Sequence, residues 1–115
     1  ENMFRLLTTE LLWDGIIAGC SIVIYDGETI IVKSFEKELH STIFVPGPVA
    51  VLDSLKFDEF VIDDIEMMID ASGGMPDRKR LDDYIKSSSL YYRNASGSEP
   101  IFLKLGCRCQ IIPMS

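Results

Sequence analysis

The sequence has few of the residues that most often carry catalysis or bind metal ions. One histidine, His40, and three cysteines occur among its 115 residues. Nucleophilic catalysis needs a base close to a serine or cysteine, and zinc sites usually hold two ligand pairs of the C-x₂₋₄-C type. Cys107 and Cys109 are instead spaced C-x-C, and Cys20 lies far away in the chain. We therefore predict no catalytic residue, no metal site and no cofactor.

The sequence also lacks a long hydrophobic run. Its clearest apolar stretch, residues 16–25, is about half as long as the roughly 20 residues that a membrane helix requires. No basic segment followed by an apolar one marks a signal peptide, and an odd, sparse set of cysteines is typical of reduced thiols. We predict an intracellular, cytoplasmic protein that does not associate with membranes.

Basic residues are in the minority. The chain has 11 Lys and Arg against 18 Asp and Glu, for a formal net charge of −7. Binding to a nucleic-acid backbone depends on clustered Lys and Arg that replace counterions, so nucleic acid is not expected as the main partner. A basic protein surface suits this charge better.

The residues that are present predict one folded domain over residues 1–115. Apolar residues make up 47% of the chain and charged residues 25%, which are ordinary globular values. A chain of this size can bury a core without metals or disulfides. Because the sequence begins Glu1-Asn2-Met3, it is either a piece of a longer protein or starts at Met3 behind a tag remnant.

Residues 16–35 give the strongest structural signal, two apolar segments separated by Asp26-Gly27. Asp-Gly is favoured in two-residue hairpin turns, where positive φ is needed at both positions. This turn predicts that Tyr25 lies opposite Glu28 and that Val23 lies opposite Ile30. We expect this hairpin at the centre of a mainly antiparallel sheet.

Helices and further strands are predicted around the hairpin. Apolar residues at helical spacing predict a helix over residues 3–13, ended by Gly15. Strands are expected at 42–45 and 49–52 with a loop at Pro46-Gly47-Pro48, because proline cannot donate to a strand ladder. Two more strands are expected at 101–105 and 109–112, broken at Gly106.

The segment 53–70 fits two interpretations. At helical spacing Phe57, Val61, Ile65 and Met68 share one stripe, whereas at a period of two residues 60–70 would form a strand. The length of the segment favours the helix, which would be capped by Asp53 or Ser54. A second helix is expected from Pro76 to Tyr92, because proline is favoured in the first turn of a helix. The fold is therefore predicted to be α+β with two or three helices, and an all-β sandwich is the alternative.

Acidic residues are densest in the same segment, where seven face a single Lys56. The residues that we predict to bind a partner lie within it: Asp63, Asp64, Glu66 and Asp70. Close carboxylates also attract Mg²⁺ or Ca²⁺, so a divalent-cation-dependent enzyme or cation binder using residues 58–70 is an alternative. A solvated helix face without function is the simplest interpretation, since the spacing differs from that of a calcium loop.

Residues 72–80 form a second candidate site, for an anion. A glycine pair, a predicted helix start and three cations come together there, although the spacing is not that of a P-loop. The residues concerned are Ser72, Gly73, Gly74, Arg78, Lys79 and Arg80. We expect these cations to pair with the acidic segment 53–70 in preference to an external phosphate.

The leading hypothesis for function is a small interaction or assembly module without catalytic activity. It would present its acidic face to a partner protein or to another copy of itself. The net charge of −7, the abundance of apolar and aromatic residues and the lack of catalytic motifs support this hypothesis.

Overall fold

The structure, a computed structural model, describes residues 3–35, 37, 41–94 and 97–114. These residues form one sheet and two helices. The elements in chain order are β1 (Phe4–Trp13), β2 (Ile16–Ala18), β3 (Ser21–Tyr25), β4 (Ile30–Ser34), β5 (Thr42–Asp53), α1 (Glu59–Ala71), α2 (Arg78–Ser87), β6 (Pro100–Lys104) and β7 (Gln110–Ile112).

The sheet is centred on β1 and β5, which are parallel neighbours. The strand order is β4-β3-β1-β5-β6-β7, β2 also pairs with β1, and every pair except β1–β5 is antiparallel. The predicted hairpin of residues 16–35 exists, but its position at the sheet centre was wrong because β4 is a terminal strand. The chain thus forms a mostly antiparallel sheet with two helices, an α+β arrangement in which the sheet dominates.

The N-terminal helix predicted for residues 3–13 was wrong, since β1 occupies this segment. β1 forms a long hairpin with β2 and β3, and Asp14-Gly15 is its tight turn, with Trp13 opposite Ile16 and a φ of 82° at Gly15. The burial of Phe4, Leu6 and Thr8 follows the strand period of two. Pairing with β3 and β5 therefore overrides a helix-like spacing of leucines.

The turn after β3 is wider than Asp-Gly chemistry predicts. Tyr25 pairs with Ile30, so residues 26–29 form a four-residue loop and the predicted register was wrong by two residues. The Asp26 carboxylate accepts hydrogen bonds from the Thr29 and Glu28 amides, each at 2.8 Å, which keep its pKa below the ordinary value. A shift of two residues leaves each side chain on its predicted face.

The predicted break at Pro46-Gly47-Pro48 was also wrong, because β5 continues through it with one extra residue opposite β1. Thr8 pairs with Val45 and Glu10 pairs with Pro48. The Thr8 hydroxyl donates to the Gly47 carbonyl at 2.7 Å, and the Gly47 amide donates to the Thr9 hydroxyl at 2.7 Å. Gly47 has a φ of 98°, which glycine adopts without strain.

This bulge marks a corner at which the sheet folds over on itself. The Phe4 and Phe102 rings lie 4.9 Å apart, although a flat sheet would separate these positions by on the order of 30 Å at about 3.3 Å per residue. The two halves of the sheet therefore face each other, as in a sandwich. Between them lies the first core: Phe4, Leu6, Leu11, Val23, Tyr25, Ile30, Val45, Val49, Val51, Tyr92, Phe102 and Ile112.

Both helices cover the outer face of the sheet half that contains β6. The helical interpretation of residues 53–70 is confirmed, but the helix begins later, because Asp53 ends β5 and Asp58 caps α1. α2 is capped by Asp77 and ends at Ser87, earlier than predicted. The second core lies beneath the helices: Leu12, Ala50, Leu52, Val61, Ile65, Ile69, Leu81, Ile85, Leu90, Tyr91, Leu103 and Leu105.

The C-terminal strands are confirmed as β6 and β7. Leu105 donates its amide to the Pro48 carbonyl at 2.9 Å, which ties the end of β6 to the corner in β5. Within the described part of the chain, no helix has the length and apolarity needed to span a bilayer.

Candidate interaction face on helix α1

The outward side of α1 combines exposed apolar and acidic side chains. Val61, Ile65 and Ile69 point to the sheet, which turns the remaining positions toward solvent. Phe60 is 74% exposed and Met67 is 68% exposed. Two predicted partner-binding residues, Asp63 and Asp70, are exposed on the same helix. We call the face formed by Phe60, Asp63, Met67 and Asp70 the α1 face.

The other two predicted partner-binding residues hold neighbouring elements in place. Asp64 accepts a hydrogen bond from the Tyr84 hydroxyl of α2 at 2.9 Å. Glu66 accepts one from the Cys109 amide, just before β7, at 2.7 Å. Burial, followed by the bond to Asp64, raises the pKa of Tyr84 to about 12. Of the four predicted residues, Asp64 and Glu66 thus hydrogen-bond to neighbouring elements, whereas Asp63 and Asp70 lie on the outward side of α1.

Metal ligands do not converge on this helix. Across the described ranges, no three carboxylate, thiol or imidazole groups lie close enough together to hold a metal ion. Cys107 is exposed and donates a weak hydrogen bond to the Gly74 carbonyl, with sulfur and oxygen 3.5 Å apart. Burial raises the pKa of Cys109, so this thiol resists ionisation. His40 lies outside the described residues.

The backbone amides of the predicted anion site already donate hydrogen bonds to carbonyls of α1. Ser72 donates to the Met68 and Ile69 carbonyls, Gly73 to Asp70, and Gly74 to Ile69, at 2.9 to 3.2 Å. Gly73 and Gly74 have φ values of 77° and 88°, as expected where a glycine ends a helix. These amides satisfy the last carbonyls of α1, and in this conformation they do not form an anion cradle.

The cations that follow pair elsewhere than predicted. Arg78 forms an ion pair with Glu10 of β1, and Lys79 lies 3.7 Å from Asp83 within α2. The expected pairing of these two residues with segment 53–70 was wrong. Arg80 is exposed, lies one turn before Tyr84 on α2, and lines a groove together with residues of α1.

A groove runs between α1 and α2 next to the α1 face. Its cavity of about 290 Å³ is lined by Asp64, Met67, Met68, Ala71, Arg80 and Tyr84. It brings together Asp64 from the predicted acidic site and Arg80 from the predicted anion site. Sequence reasoning missed Phe60 and Met67, although both lie off the stripe of Val61 and Ile65 and could have been found as apolar residues on the wrong side of the helix.

Comparison with known proteins identifies no relative of the chain. No family model, no curated protein and no solved structure matches the chain. Function must therefore be argued from the surfaces that the fold presents.

Proposed function

We propose that the chain is a small, non-catalytic protein-interaction module that binds a basic partner protein through the α1 face. The exposure of Phe60 and Met67 on an acidic helix carries this proposal. Large apolar side chains that are more than two thirds exposed contribute little to the stability of the fold. A partner that buries them gains roughly 1.5–3 kcal/mol of binding free energy for each. Such anchors are what protein interfaces use at their centres.

Charge selects the kind of partner. Asp63 and Asp70 flank Met67, and segment 53–70 carries seven acidic residues against one lysine. A second copy of the chain would bring acidic faces together, and the like charges would repel. A partner with Lys or Arg around an apolar centre would be attracted instead, and one of its apolar side chains would fit the groove beside Met67.

The partner can be sought by affinity capture with charge-reversed variants. Asp63→Lys/Asp70→Lys changes only exposed carboxylates, so folding is expected to be retained. Asp83→Lys is the matched control, because Asp83 is an exposed acid on α2, outside the α1 face. We expect a basic protein to be captured at low salt by the natural chain and by Asp83→Lys, and to be lost with the double variant.

A separate substitution tests the apolar part of the face. Phe60→Ser/Met67→Ser should release the same partner without lowering the melting temperature, since neither side chain is in the core. Equal capture by both double variants and by the natural chain would refute the proposal. So would a strictly monomeric chain that captures nothing at low salt.

A further inference from the structure

The first half of β5 has a side along which no described strand lies. Residues 42–45 pair with β1 on one side, whereas β6 joins β5 on the other side only from Val49 onward. On that second side, the described part of the chain gives the backbone of residues 42–46 no hydrogen-bond partner. We call this backbone, residues 42–46, the β5 edge. It contains no residue of the α1 face or of the groove beside it.

The hydrogen bond of Gly47 shows which backbone groups face outward. The Gly47 amide donates to the Thr9 hydroxyl of β1, and no peptide bond among the described residues is cis, so the Pro46 carbonyl points away from β1. Backbone groups alternate in direction along a strand, so the amides and carbonyls of Thr42 and Phe44 also point away from β1. Pro46 has no N–H, as is usual where a proline lies on a strand edge. The β5 edge therefore presents donors on Thr42 and Phe44 and acceptors on all three residues.

The side chains of the β5 edge are uncharged, and several are apolar and exposed. Phe44 is 58% exposed and Ile43 is 39% exposed, whereas Val45 points into the first core. Phe44 lies opposite Leu7 of β1, on the outer face of the sheet. An apolar strand edge without charged residues is a template for a further strand, because only extended backbone matches the spacing of its donors and acceptors.

The other outlying strands of the sheet carry the features that prevent such pairing. On β4, the Asn94 side chain bonds to both the N–H and the C=O of Ile30, and Lys33 places a charge within the strand. β2 and β7 are each only three residues long. Blocked backbone groups, charges and short strands all oppose pairing between sheet edges. Among the described strands, the β5 edge is therefore the one open to strand addition.

We propose that the β5 edge pairs with the same edge of a second copy of the chain. The two strands run antiparallel, with Phe44 opposite Phe44 of the second copy across a two-fold axis. The two Phe44 residues exchange a pair of hydrogen bonds, and each Thr42 amide donates to the opposite Pro46 carbonyl. Every outward N–H of both edges then has an acceptor, and the N–H that Pro46 lacks is not needed.

Charge favours a second copy at this edge over the other surfaces of the chain. Each copy has a net charge of −7, so contact through acidic surfaces is repulsive. The β5 edge brings no like charges face to face, and it places the two exposed Phe44 rings side by side on one face, where cross-strand aromatic pairs are stabilising. This pairing is independent of the partner proposed for the α1 face.

The test is sedimentation equilibrium of the whole chain from micromolar to millimolar concentration. A thiol reductant is included, because Cys20 and Cys107 are exposed and could otherwise link copies. We expect a reversible dimer that added salt strengthens, since salt screens the repulsion between two acidic chains. Binding of a basic protein to the α1 face would respond to salt in the opposite direction, so the two interactions can be told apart.

Phe44→Lys should weaken self-association at least about tenfold, because it sets two cations opposite each other at the axis. Its melting temperature as a monomer should stay close to that of the natural chain, since Phe44 is exposed. Ile31→Lys on β4 and Phe60→Lys on the α1 face are the matched controls, because each replaces an exposed apolar residue with the same charge. Both controls should dimerise like the natural chain.

Hydrogen exchange locates the pairing. The Thr42 and Phe44 amides should exchange rapidly in dilute solution and become protected in the dimer. The Ile43 and Val45 amides point to β1 and should be protected at both concentrations, which makes them an internal control. A chain that stays monomeric at millimolar concentration, a dimer that survives Phe44→Lys, or a dimer without added protection at Thr42 and Phe44 would overturn the proposal. So would protection of these two amides only by a different protein.

Discussion

Thr8→Val tests whether the corner in β5 depends on a single hydroxyl. Thr8 is 0% exposed, and its hydroxyl donates to the Gly47 carbonyl at 2.7 Å and accepts from the Glu10 amide at 3.3 Å. Valine has nearly the same shape, so packing is retained while both backbone groups lose their partner. Leaving such groups unsatisfied in a buried place costs about 1–3 kcal/mol.

We expect Thr8→Val to lower the free energy of unfolding by about 2 kcal/mol, which for a domain of this size lowers the melting temperature by roughly 8 °C. Urea unfolding can be followed through Trp13, the only tryptophan, whose indole N–H donates to the Tyr92 carbonyl at 2.6 Å. Trp13 therefore reports on the junction between β1 and the segment that follows α2.

The matched control is the same substitution at Thr42, in the same strand pair. The Thr42 hydroxyl is enclosed, and it is the one such side-chain atom in the described residues that has no hydrogen-bond partner. Thr42→Val removes an unsatisfied polar group and should stabilise the fold by about 1 kcal/mol. If the two variants shift stability in the same direction, or if Thr8→Val stays within about 0.5 kcal/mol of the natural chain, the hydroxyl does not hold the corner.

Two further predictions concern other contacts. The Asn94 side-chain amide accepts a hydrogen bond from the Ile30 N–H at 2.8 Å and donates one to the Ile30 carbonyl at 3.2 Å. Asn94→Ala should therefore accelerate hydrogen exchange at the Ile30 amide and leave exchange in β7 unchanged. Unaltered exchange at Ile30 would contradict this role. Tyr84 has its pKa raised from 10.0 to about 12, so its stabilising contribution is full below pH 10 and is lost as the pH rises through 12. Tyr84→Phe should flatten the fall in stability over this range by about 1 kcal/mol, since solvent screens the charge on a partly exposed group. If the variant loses stability as steeply as the natural chain in a denaturation series between pH 9 and 12, this contribution of Tyr84 is excluded.

Local patterns predicted the elements whose signal does not depend on distant partners. The stripe of Val61 and Ile65 predicts α1, because three buried positions one turn apart fix which side of a helix meets the core. The segments around Gly106 give β6 and β7 for a similar reason. The turn after Tyr25 was placed correctly, but its length was not, since Asp26 uses its carboxylate to close a four-residue loop.

The candidate sites show the limits of local patterns more clearly. The sequence alone does not distinguish Asp63 from Glu66, since both are acidic residues of one predicted helix. In the structure Glu66 accepts a hydrogen bond from the amide of Cys109, 43 residues away in sequence, whereas Asp63 is exposed. The amides of Gly73 and Gly74 were expected to bind an anion and instead end α1. Phe60 and Met67 became candidates only once the buried side of α1 was known.

The sequence by itself determined the acidity of the chain, favoured the two helices and predicted the strands near each end of the sheet, because composition and periodicity are local properties. The tertiary structure decided that β1 is a strand, since the leucines of this segment fit either period and only β3 and β5 supply the hydrogen-bonding partners. It also decided that β5 passes through Pro46-Gly47-Pro48, because Thr8, 39 residues away from Gly47, satisfies the backbone there. The contact between the Tyr25 and Tyr92 rings has the same origin, since only the folded chain brings these two distant residues edge to face.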